Sequence, residues 1–133
     1  MKLTTQNFNL SNPTLTQVEE QLNKLNRQLN TFVILENSEN SYVQCAGNSH
    51  RLTVEYREHS QSNFKHFVIG KGENKSPLRT TWVILPTGVG SLQIHQEEIL
   101  SMEEASLIFK AFLLKLPLPD GLKKRNVTKL HKK

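Results

Sequence analysis

An α+β domain, with a helix near each end and a mostly antiparallel sheet between them, is the fold class this sequence predicts. Three observations lead to it. Apolar residues recur three and four apart from Leu15 to Leu29, the period falls to two from Thr31 to His95, and the helical period returns from Ser101 to Leu116. A chain of 133 residues, 36% hydrophobic and 22% charged, suits one domain with one core. Its apolar runs fall far short of the ~20 residues that a membrane-crossing helix needs.

The first helix carries Leu15, Val18, Leu22, Leu25 and Leu29 on a narrow stripe among polar residues. Asn12 with Pro13 suits its start, and Thr16 with Glu19 offers a competing capping box. Two heptads are too few for a coiled coil, so a helix lying on a sheet is expected. Six strands follow, over 31–36, 42–46, 51–58, 64–69, 80–85 and 91–95, where Val, Ile, Tyr, Phe and Thr are enriched. The turns at 37–41, 47–49, 60–63 and 86–88 are rich in Asn, Ser and Gly. Their shortness makes sequential strands antiparallel neighbours. The longer stretch 70–79 is expected to be the most mobile internal loop. In the third strand Leu52, Val54 and Tyr56 alternate with Thr53, Glu55 and Arg57, which predicts one covered face and one wet face.

The second helix starts at Ser101, with Glu104 three residues on as a capping box and Glu103 near the positive end of the dipole. Ala105, Ile108, Phe109, Phe112 and Leu116 form its apolar face. Leu107, Leu113 and Leu114 widen that face beyond one stripe, so a further element or a partner subunit is expected there, and both monomer and dimer stay open. Pro117 and Pro119 end the helix.

Charge is unevenly placed. Six of the 17 basic residues (Lys123, Lys124, Arg125, Lys129, Lys132 and Lys133) follow the last acid, Asp120, which leaves 11 against 12 acids before them and a formal charge of −1 there. The net +5 thus belongs to the C-terminal end. The sequence is divided into a domain over 1–120 and a basic tail over 121–133.

Few residues suggest chemistry. The five histidines, His50, His59, His66, His95 and His131, show no metal-ligand spacing, and the lone Cys45 rules out an internal disulfide and fits a buried small hydrophobe. Glu55 and Glu58 near His59 and His66 could support proton transfer or a metal, but on a mixed polar face ordinary solvation is the stronger reading. Gly70-Lys71-Gly72 and Gly88-Val89-Gly90 lack the spacing of a phosphate-binding loop and read as turns. No nucleophile elbow is present. The expectation is a protein that is not an enzyme and needs no cofactor or metal. The N-terminal residues lack the apolar middle of a secretory signal, so a cytoplasmic location is expected, with no membrane partner.

Leu10-Ser11-Asn12-Pro13-Thr14, Thr31-Phe32-Val33-Ile34-Leu35, Tyr42-Val43-Gln44, Val54-Glu55-Tyr56-Arg57, Ala111-Phe112-Leu113 and Leu116-Pro117 span most of the chain. In their order and setting the chain resembles the small α+β immunity proteins of bacterial polymorphic toxin systems. The resemblance implies a non-catalytic module that binds a cognate protein toxin and occludes its active site. It places the contact surface on the polar sheet face, at Gln44, Glu55, Arg57 and His66, and on the adjoining loop with Glu58 and His59. The basic end departs from it, since an inhibitor of a basic nuclease presents acid; only Glu36, Glu55, Glu58, Glu97 and Glu98 could do so. The alternative is a nucleic-acid-associated protein whose basic tail neutralises phosphates through Lys123, Lys124, Arg125, Lys129, Lys132 and Lys133.

Overall fold

A threonine sets the start of the first helix. In the computed structural model Thr14 Oγ1 accepts from the Gln17 N–H (3.2 Å) and Gln17 Oε1 accepts from the Thr14 N–H (2.9 Å), a reciprocal box that lies between the two expected starts. Asn12 is not the cap because it turns the chain with φ +51, its N–H donating to the Met1 carbonyl.

The structure describes residues 1–26, 30–47, 51–72, 79–85 and 88–131, the side chains within 79–93 and 130–131 excepted. Among them the order is β1 (Lys2–Thr5), β2 (Asn9–Ser11), α1 (Leu15–Asn23), β3 (Phe32–Glu36), β4 (Tyr42–Gly47), β5 (Leu52–Ser60), β6 (Asn63–Lys71), β7 (Arg79–Leu85), β8 (Gly88–Ile94), a 3-10 turn (Gln96–Glu98), α2 (Met102–Leu113), β9 (Leu122–Asn126) and α3 (Thr128–His131). The expected mobility of 70–79 falls mostly on residues outside this set.

The α+β class and the antiparallel sheet hold, and each of the six expected strands forms. The sheet is nevertheless different from the expected one. Among the described residues it has seven strands in the order β2-β1-β3-β4-β5-β6-β9, and β7 and β8 pair with each other in a separate two-stranded sheet. The first four expected strands are its centre, joined by the short turns that force antiparallel neighbours. Asn40 (φ +68) and Gln61 (φ +54) take the left-handed conformations at the 37–41 and 60–63 turns.

One face of the sheet carries the main core. Leu3, Val33, Leu35, Val43, Cys45, Val54 and Ile69 meet Val18 and Leu22 of α1 and Ala105, Ile108 and Phe109 of α2, all buried. Each large side chain so covered contributes about 1.5–3 kcal/mol. The Ser101–Glu104 capping box forms as the sequence predicts, with both reciprocal bonds present. Helix α2 ends before the prolines: Lys115 turns left-handed at φ +58, and the Leu116 N–H reaches back to the Ala111 carbonyl at 2.8 Å.

Candidate functional site

On β5 the period of two turns Val54 and Tyr56 toward the helices and Glu55 and Arg57 toward the opposite face. The register with β6 sets Arg57 across from His66 and Glu55 across from Val68, so Glu55 and His66 are diagonal neighbours. His66 Nε2 lies 2.7 Å from Glu55 Oε1, and Arg57 Nε donates to His66 Nδ1 at 3.1 Å. An Nδ1 that accepts from arginine bears no proton, so the ring proton sits on Nε2 and is given to Glu55. A neutral imidazole thus bridges a guanidinium and a carboxylate. The His66 N–H donates to Thr128 Oγ1 (2.9 Å), which ties the start of α3 to the same point. Outward from the pair, the Arg57 guanidinium lies 4.0 Å from the Phe64 ring centre and 5.6 Å from that of Tyr42. Burial pushes the Tyr42 phenol up, with Arg57 partly opposing it.

The structure brings Glu55, Arg57 and His66 together but does not leave them wet. Gln44, Glu55 and His66 are 4%, 3% and 2% exposed, against the expectation of a solvated face. Alternation reports which residues share a face, and says nothing of a second layer over it. Here that layer is present: Val68 packs with Ile94 and Val127, with Ile99 against them, and the 3-10 turn and α3 touch β6. Three of the expected contact residues stay at the rim. Arg57 and His59 are half-buried, the His59 ring 5.8 Å from that of Phe64, and Glu58 is exposed.

A second buried charge lies beside the first, and the sequence reading missed its role. Glu98 is fully buried and accepts from Arg125 Nε (2.8 Å), Arg125 Nη2 (2.9 Å) and the His95 N–H (2.7 Å). Gly70 makes room for it: a Cβ there would stand 2.7 Å from Glu98 Cγ and 3.2 Å from the Glu97 carbonyl oxygen. Gly70 is therefore a strand residue under close approach, not part of a turn. The one sequence signal available was a lone arginine among lysines, the side chain suited to a two-pronged grip on a carboxylate.

The basic tail is corrected by the same contacts. Residues 122–126 form β9, antiparallel to β6 from Lys71↔Leu122 to Phe67↔Asn126, and Val127 is buried. Lys124 lies on the helix-side face with Nζ 4.8 Å from the Phe67 ring centre and 5.7 Å from that of Tyr56. Lys123, Lys124 and Lys129 are exposed, Arg125 is spent on Glu98, and Lys132 and Lys133 lie outside the described residues. Of the five acids expected to face a basic toxin, Glu55 and Glu98 are internal and Glu36 stands 3.7 Å from Lys2.

A carboxylate–imidazole pair can move protons, but both ring nitrogens of His66 already have partners on the protein. Among the described residues no group of three or more His, Cys, Asp or Glu is placed to hold a metal ion. No helix among them is long and apolar enough to cross a membrane. Cys45 is buried in the main core, and burial pushes its thiol up. A scan against family models, a search of curated proteins and a search of solved structures each found no match to the chain.

Proposed function

We propose that the protein is a non-catalytic protein-binding module of the kind its resemblance to immunity proteins implies, one that neutralises a cognate toxin by occluding its active site. The observation that carries this reading is the use made of the ionisable side chains. Glu55, His66, Glu98 and Arg125 are joined in buried or half-buried pairs that brace the sheet. The side chains left at the surface suit recognition instead: the rim of Arg57, Glu58 and His59, the lysines of β9, and Leu107 within α2 with Leu114 and Leu116 just past its end, which are 51%, 49% and 54% exposed. The contact surface accordingly moves from the centre of the polar face to its rim and the β9 side.

The experiment is an affinity capture from the native host with the tagged full chain, under nuclease and at two salt concentrations, read by mass spectrometry. One stoichiometric protein that survives both treatments is the expected result. The nucleic-acid reading keeps one favourable observation, the exposure of Lys123, Lys124 and Lys129. Recovery only of nuclease-sensitive or salt-sensitive material replaces the first reading with this one.

A further inference from the structure

We propose that β9 is a docking edge, and that it takes an acidic, extended peptide segment as an added strand of the sheet. The inference rests on the protein-binding reading and names the chemistry of its partner. β9 ends the seven-stranded order, and among the described residues no strand pairs with its outer side. The direction of its backbone groups follows from one bond. The Val127 N–H donates to the His66 carbonyl (2.8 Å), so by antiparallel alternation Arg125 and Lys123 also face β6, and Lys124 and Asn126 present their N–H and C=O groups outward. That is the pattern to which an extended peptide adds.

The side chains select the occupant. Lys123 and Lys124 are adjacent on the strand, exposed and on opposite faces, Lys124 with its ammonium over the Phe67 ring, so the edge carries positive charge on both faces and suits a segment with paired acids. A second copy of this chain is disfavoured by the same charges: β9 against β9 about a two-fold at Lys124 would set lysine against lysine. A nucleic acid is less well served, because the Lys124 ammonium lies over the two rings on which bases would stack, and the outward amides match a peptide. The opposite edge, β2, has three residues, and shortness protects it.

The test uses the full chain and an acetylated heptapeptide with two central glutamates flanked by valine and threonine, followed by amide NMR. Shifts and slowed exchange at Lys124 and Asn126 are expected, with the same peptide carrying lysines at least about tenfold weaker. The double reversal Lys123→Glu/Lys124→Glu should invert that preference. Lys124→Pro, which removes an outward N–H and no bond to β6, should weaken the glutamate peptide about tenfold more than Lys124→Gln does. Equal binding of both peptides, shifts confined to the α2 leucines, or an oligothymidylate that binds more tightly at the same amides would overturn the proposal. If the host partner is captured equally by wild type, by the double reversal and by Lys124→Pro, strand addition falls while the protein-binding module stands. If no stoichiometric protein is captured at all, the module itself falls.

Discussion

His66 is a residue whose removal separates two accounts of the polar face. As a solvated surface residue it could be changed with little effect, whereas as the buried partner of Glu55 it cannot. His66→Leu is expected to destabilise the fold by about 2–3 kcal/mol, because the buried Glu55 carboxylate then loses the hydrogen bond from the imidazole. Glu55→Val combined with His66→Leu should recover most of that loss, since an apolar pair of similar volume leaves no orphaned charge. Urea unfolding of both variants decides it, and a single variant within 1 kcal/mol of wild type, on the order of an ordinary surface change, rejects the brace. Cys45 offers a second residue-scale test. Its thiol is buried and pushed up by that burial, so a thiol reagent should modify it only as fast as the protein opens. Rapid labelling of the native protein, independent of denaturant, would contradict the core position.

At the scale of elements, Lys115 is the clearest point of local strain. A side chain at φ +58 carries a penalty of roughly 1–2 kcal/mol that glycine avoids, so Lys115→Gly should stabilise the protein by about 1 kcal/mol in urea, unless α2 does not end there. The same element marks what was legible. Ser101, Glu104 and the 3.6-residue period specify α2 from local chemistry, and alternation specifies β3 to β6 and the strand character of β7 and β8. β1 and β2 were not legible because Leu3 is the only buried apolar residue in β1 and β2 has three residues, too few to show a period. β9 was hidden by the charges that suit an edge: Lys123, Lys124 and Arg125 read as solvated, although Arg125 closes on Glu98 and Lys124 lies on two rings. At the candidate site, sequence placed Glu55, Arg57 and His66 on one face. It could not show that residues near 94–99 and 127–128, distant in the chain, would cover that face.

The whole molecule couples these local facts in two ways. Folding favours the protonated forms of Cys45, Tyr42 and Tyr56, whose ordinary values of 9.0 and 10.0 are raised chiefly by burial. The folded state therefore binds protons more tightly, the stability this contributes is complete below pH 9.0, and it is lost as pH rises through and above these values. Urea midpoints should fall progressively above that pH, and a flat profile would show these groups to be solvated. The second coupling concerns the C-terminal end. A basic tail could be removed with little change in stability, but deletion of 121–133 here strips β9 from β6, leaves Glu98 buried without Arg125, and uncovers Val68 and Ile94 as Val127 departs. Taking the arginine from this buried carboxylate alone costs about 3–5 kcal/mol, and with the lost strand this is comparable to the 5–15 kcal/mol that holds a typical domain folded. The truncated chain is therefore expected to lose its cooperative transition. Replacing Lys123, Lys124 and Lys129 by serine removes three charges and keeps the strand, so it should stay within about 1 kcal/mol of wild type. A deletion variant that melts like the intact protein would return these residues to the status of a tail, and would remove the edge on which the acidic segment is proposed to dock.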